Sequence, residues 1–375
     1  MNTPTLSLVI KLALVAATAG LVACGSSRPK PVDAVPVQVL QDIRASWSAS
    51  VGEVNFPLVV SARDDRVALA NSRGVVAVLN AKTGQDIWRL NLDQAIAAGV
   101  GSDGQQVAVI TRQNQLVVMQ DGKVQWQQSL PAQSFTAPLV AGARVFVLTA
   151  DRSVLGFDGA TGRKLWTQQR PGEPLVLKQA GVLLAFKNTL LVGLSGRLAG
   201  LDPNTGVIRW ESAIATPRGT NDIERLVDLV SPFDRSGDVV CVRAFQASVG
   251  CVNAERGQST WTRPSVGEMG VSGNENLLIA PLSNGVVQGW SRNTGERLWE
   301  TERLKYRSLS APLVTPRGVL VADNGGWLYL LSLADGALLN RIKLDSDELA
   351  AAPVFAGGRY VVVTRDGRVT GLQIP

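Results

Sequence analysis

The sequence predicts an all-β protein: an eight-bladed β-propeller of four-stranded antiparallel blades, closed by pairing of its N- and C-terminal segments. Three observations carry that expectation. Tryptophan recurs at Trp47, Trp88, Trp126, Trp166, Trp210, Trp261 and Trp299, with gaps of 41, 38, 40, 44, 51 and 38 residues. From Trp88 onward a glycine stands four residues ahead of each, at Gly84, Gly122, Gly162, Gly206, Gly257 and Gly295, and four of these follow a threonine. Between them lie short apolar runs bounded by turn residues, such as PLVV, VALA and VVAVLN, which have neither the length nor the period of core helices.

Each repeat of about 40 residues reads as strand, strand, strand, turn, strand, which is one propeller blade. The glycine belongs in the turn before the outer strand, where a positive φ is needed. Asn80, Asp158, Asp202 and Asn253 can bond the amides that follow them. The tryptophan opens the outer strand and can pack against the neighbouring blade. A seventh glycine, Gly336, has Asn340 in the tryptophan's place, so that blade keeps the turn and loses the ring. The last 25 residues supply three strands. Trp47, one period ahead of Trp88, occupies the vacant fourth-strand place, so the two chain ends clasp and no long sheet edge is left free.

Residues 1–24 are of a different character, with a lone Lys11 and an apolar stretch too short to span a membrane, ending in Leu21, Val22, Ala23 and Cys24, and residues 1–23 read as a signal peptide. This ending resembles the bacterial lipoprotein signal, in which the chain is cut before the cysteine and Cys24 is acylated; the alternative is an ordinary signal peptide with an incidental cysteine. Gly25 stands where inner-membrane retention would place Asp, which implies a lipid-anchored protein on the periplasmic face of the outer membrane. Residues 24–37, rich in Pro and Ser, read as a tether, and residues 38–375 as the ring.

The leader removes one basic residue, leaving 36 basic against 31 acidic, a mild charge without a basic run that would suggest nucleic acid. The chain has no histidine, which excludes His-dependent triads, His metal ligands and His general bases. No metal site, catalytic residue or cofactor is expected. Beyond Cys24 only Cys241 and Cys251 remain, on two strands expected to pair. A two-residue hairpin would put them on opposite faces and a three-residue or bulged turn would bring them together, so a disulfide and two buried thiols both stay open.

The longest gap, from Trp210 to Trp261, carries Asp222, Glu224, Arg225 and Asp228 among Ile223, Leu226, Val227 and Leu229. The preceding gap is also long, its surplus falling in RPGEPLVLKQA, with Leu175, Leu177 and Lys178. Both segments join a fourth strand to the next first strand, and such connections emerge on one face. Two enlarged, neighbouring loops are therefore expected to converge on one protein-binding patch, with Arg225 and Asp228 exposed in it. The alternative is that they only fold over the rim and cover the core.

The leader, the tether, the TG-x-x-x-W blades and the segment GTNDIERLVDLVSP (residues 219–232) together resemble the BamB family of lipoprotein propellers. The resemblance covers the whole chain. It implies a non-enzymatic scaffold of outer-membrane β-barrel assembly. It further implies that Leu175, Leu177, Lys178, Arg225 and Asp228 contact the POTRA domains of a BamA-like barrel subunit, with unfolded barrel proteins as possible clients. Lys178 stands where family members often have Arg, and Val230 where they often have a second acid; Lys cannot make the planar two-pronged contact of Arg. Two other classes share part of this pattern. A quinoprotein dehydrogenase shares the repeat but would need carboxylates and an amide around calcium and usually a vicinal cysteine pair, whereas these cysteines are ten apart. A lipoprotein binding cell-wall glycan or another ligand in the central channel is the third.

Overall fold

The computed structural model of the chain describes residues 29–33, 38–169, 175–345 and 348–375. The leader (residues 1–23), Cys24 and most of the tether lie outside the described residues. Residues 29–31 are exposed and without regular structure, and the chain from Val32 onward forms one compact unit.

Among the described residues of that unit 32 strands form eight four-stranded antiparallel sheets, seven of them simple meanders. Blade one runs Ser61–Arg63, Arg66–Ala70, Val75–Asn80 and Asp86–Asn91, and six more blades follow the same order. Blade eight takes Val354–Ala356, Arg359–Val363 and Arg368–Gln373 from the C-terminus and completes itself with Arg44–Ser50 from the N-terminus. The expected end-to-end clasp is thus the seam of the ring. Apolar clusters form between blades as well as within them: Ile110 and Leu116 of blade two pack with Val145 and Phe157 of blade three, and Ile279 of blade six with Val321 of blade seven.

One expectation shifts. The PLVV run of residues 57–60 is not the first strand of its blade, which begins at Ser61. Instead Val59 exchanges backbone hydrogen bonds with Gly99 and Val100 of blade two, at 2.8 and 2.7 Å, and the run lines the central channel. Its apolar side chains face neighbouring blades across the narrow inner rim rather than a strand partner in their own sheet.

The tryptophans connect the blades. In all eight outer strands the register slips by one residue just before the tryptophan position, a β-bulge that twists the strand. Each indole then lies against the turn glycine of the next blade: Trp47 on Gly84, Trp88 on Gly122, Trp126 on Gly162, Trp166 on Gly206, Trp210 on Gly257, Trp261 on Gly295 and Trp299 on Gly336. In five of the seven the indole N–H also donates to the carbonyl three residues ahead of that glycine: Trp47 to Ala81 (2.9 Å), Trp126 to Gly159 (2.8 Å), Trp166 to Pro203 (3.1 Å), Trp261 to Arg292 (2.7 Å) and Trp299 to Leu333 (2.9 Å). In four blades the residue paired with the tryptophan on the third strand is itself a glycine: Gly156, Gly200, Gly289 or Gly371. The ring is thus sandwiched between two backbones.

The turns have the side chains they need. Asp202 accepts the amides of Asn204 and Thr205, which together with Arg209 hold its carboxyl below the ordinary aspartate range. Asn340, in the tryptophan position of blade seven, donates instead to the Gln41 carbonyl at 2.5 Å, and the Leu40 amide donates to the Leu339 carbonyl at 3.1 Å. Blade eight has no turn before its outer strand, because that strand comes from the other end of the chain. An indole there would have no glycine to cover.

Gly206 combines φ +74° with a site at which a Cβ would stand 2.5 Å from the Trp166 ring, whereas Gly142, at φ +59°, has nothing within 4 Å. Gly206→Ala is expected to cost roughly 1–3 kcal/mol more than Gly142→Ala in chemical denaturation, since the two share the backbone penalty and differ in overpacking. Equal losses would remove the indole contact from the account. Truncation after Gly367 deletes the strand that pairs with both Arg359–Val363 and Arg44–Ser50 and should abolish the cooperative thermal transition; a truncated chain melting within a few degrees of the parent would contradict the clasp.

Candidate partner-binding patch

The two long connections meet. One runs from the outer strand of blade three, Lys164–Gln168, to Leu183 of blade four, and the other from Ile208–Ala213 to Leu229 of blade five. The first is tied to blades three and five, since the Gly181 amide donates to Thr136 Oγ1 at 2.9 Å and the Ser231 amide donates to the Ala180 carbonyl at 2.8 Å. The second contains one tight turn, capped at its start. Asn221 Oδ1 accepts the Glu224 amide (2.9 Å) and Glu224 Oε2 accepts the Thr220 amide (2.8 Å), a reciprocal arrangement close to a capping box. These bonds hold the Glu224 carboxyl below its usual range.

Arg152 and Asp228 join the loops. Arg152 sits in the tight turn between the second and third strands of blade three, with its side chain only 9% exposed. Its guanidinium donates to Asp228 Oδ1 at 2.9 Å and to the Leu175 carbonyl at 3.0 Å. The other carboxylate oxygen, Oδ2, accepts the Leu177 amide at 3.2 Å. One ion pair thereby fixes the backbone of the first loop at two points and the end of the second.

The sequence-predicted residues divide accordingly. Leu175, Lys178 and Arg225 are exposed and Leu177 is half-buried, all around this junction. Asp228 departs from the expectation of an exposed loop acid: its side chain is 17% exposed and both carboxylate oxygens are engaged within the chain. Val230, where relatives often carry an acid, is buried in the first strand of blade five. Sequence reasoning missed Arg152, whose partner lies 76 residues away, and named Ile223 among the loop's aliphatics without placing it among the contact residues, although at 74% it is the most exposed large apolar side chain among the described residues of the patch. The only sign of Arg152 in the sequence is a bulky residue in a turn.

Beside the patch, segments leading into the innermost strands line a channel cavity of about 720 Å³, with Phe56, Leu309, Pro353, Asp234, Arg365 and, from the first loop, Lys178 among its lining. Among the described residues no group of three or more Cys, Asp or Glu is placed to hold a metal ion. Cys241 and Cys251 lie directly opposite each other and are joined by a disulfide, because the hairpin between their strands has a three-residue loop, Phe245 to Ala247.

Comparison with known proteins places the fold and the family. The family model described as outer membrane protein assembly factor BamB matches residues 72–301 and 283–374. The outer membrane protein assembly factor BamB of Burkholderia pseudomallei is 33% identical over 369 residues, covering 96% of this chain and 97% of that protein. The protein of the same name from Legionella pneumophila is 30% identical, covering 92% of each. Among solved structures, BamB from Moraxella catarrhalis superposes with a TM-score of 0.80 at 22% identity, covering 88% of this chain and 100% of that one. Quinohemoprotein alcohol dehydrogenase from Comamonas testosteroni, with a TM-score of 0.68 at 14% identity, covers 93% of this chain and 78% of that one and shares the fold alone. With a matching family model over most of its length and relatives aligned end to end, the chain belongs to the BamB family of outer membrane protein assembly factors.

Proposed function

We propose that this protein is a non-catalytic, lipid-anchored accessory subunit of the machinery that assembles outer-membrane β-barrels. In this reading Cys24 carries the lipid and holds the ring at the periplasmic face of the outer membrane. The patch at blades three to five docks the POTRA domains of a BamA-like barrel subunit through Leu175, Leu177, Lys178 and Arg225. The observation that carries the reading is the junction of the two longest connections in a chain of this family. An ion pair holds them together while Leu175, Ile223, Lys178 and Arg225 are exposed around it. An apolar centre with charged neighbours suits a protein partner. Asp228, engaged within the chain, has a supporting role. The channel cavity of about 720 Å³ favours a second reading, in which the ring binds a small ligand or a glycan.

Co-purification from gently solubilised outer membranes separates the two. A barrel subunit with POTRA domains is expected to accompany the parent protein. The triple variant Leu175→Ala, Lys178→Ala, Arg225→Ala should lose it, each change weakening binding by about 1–2 kcal/mol, while unfolding free energy moves by no more than about 0.5 kcal/mol per exposed site. Recovery of the partner at parental level would remove these residues from the site, and its absence from the parent sample would favour the channel.

A further inference from the structure

We infer that Arg152 is the positioning residue of this docking patch: through Asp228 it sets the relative placement of the two loops before any partner arrives. The inference rests on the preceding reading that the patch binds a protein, and adds to it a residue from a third element that makes the surface competent.

The argument begins with the backbone. Arg152 adopts φ +64°, a left-handed conformation that an arginine gains nothing from by itself and that glycine or asparagine would accept more readily. The turn is built to hold it there. The Arg152 amide donates to the Thr149 carbonyl at 3.0 Å, Thr149 Oγ1 donates to Asp151 Oδ1 at 2.6 Å, and the same carboxylate oxygen accepts the Ser153 amide at 3.2 Å. This conformation directs the side chain across the rim to the junction, where it is almost wholly buried.

The contacts there are of a kind only a forked donor can make. One guanidinium nitrogen meets the Asp228 carboxylate and another meets the Leu175 carbonyl, on two different loops. Asp228 returns a bond to the amide of Leu177, so the backbones of two proposed contact residues hang from one pair. Both charges are largely removed from water, where such a pair is strong when intact and leaves a costly unpaired charge when broken. None of these bonds lies in a blade ladder or a tryptophan clasp. Loosening the pair should therefore loosen the patch and leave the ring standing.

Pre-placement of this kind acts on affinity by reducing the order that must be gained on binding. It gives a readout that neither a direct contact nor a generally structural residue would produce. Full-length protein in detergent, as parent, Arg152→Ala and Arg152→Lys, would be compared by hydrogen–deuterium exchange and by affinity for a purified POTRA fragment. In Arg152→Ala, exchange should rise in peptides covering residues 175–182 and 219–230 and stay at parental level in the glycine turns, with affinity reduced at least ten-fold. Arg152→Lys keeps the charge without the fork and should fall between parent and Ala; it also serves should Arg152→Ala not fold. Unchanged exchange in the two loops would overturn the inference whether or not the fragment binds, as would rising exchange with parental affinity. Loss of affinity without a change in exchange would make Arg152 a contact and likewise overturn it. A parent protein that does not bind the fragment would sink the docking reading instead; rising loop exchange confined to the Arg152 variants would then still show the junction's dependence on Arg152.

Discussion

The structure depends on one repeated contact, an indole of one blade laid over the glycine turn of the next, with its N–H on a carbonyl of that turn in five of the seven. Hydrogen bonds within a blade cannot hold a propeller together, because each meander satisfies its ladder without its neighbours. The tryptophan supplies the missing lateral bond. Its ring contributes on the order of 150–250 Å² of apolar burial, and its N–H gives that burial a direction. At six of the seven receiving glycines a Cβ would intrude on the ring, as the 2.4 Å approach of a notional Cβ at Gly84 to Trp47 illustrates; at Gly122, 3.5 Å from Trp88, the demand for glycine is its φ of +73°. The bulge before each tryptophan aims the ring and recurs in blade seven, where the tryptophan is gone.

That exception shows how the ring is closed. Where the chain ends meet, no turn exists to receive an indole, and Asn340 binds the backbone of the incoming N-terminal segment instead. Closure then rests on strand pairing along Arg44–Ser50 and Arg368–Gln373 and on Trp47, which carries the lateral contact onward to blade one. Because each blade touches only its neighbours, stability is a sum of nearest-neighbour terms, and the seam is the term on which closure of the whole ring depends.

Much of this was legible in the sequence because it repeats. The tryptophan period, the glycine four residues ahead and the Asx residues of the turns recur often enough to identify the blades, their number and the clasp. Features that occur once, or depend on distance through space, were not legible. PLVV reads as a strand by composition but pairs with blade two, a choice made by the geometry of the inner rim. The pairing of Cys241 with Cys251 turns on whether the hairpin loop has two residues or three, which composition does not determine. At the patch, two unusually long connections do meet as expected, yet Asp228 reads as a surface acid because its counter-ion, Arg152, comes from another blade.

The functional account therefore places recognition on one face of a rigid ring. Connections between blades emerge on the face that carries the patch, and the turns before the outer strands lie on the opposite face, since successive strands of each meander alternate in direction. The most direct test is photocrosslinking in intact cells from an unnatural side chain at Lys178, on the patch, or at Arg256, exposed in the turn before the outer strand of blade five. The account predicts a crosslink to a POTRA-bearing barrel subunit from Lys178 and none from Arg256. A crosslink from Arg256 alone would contradict it.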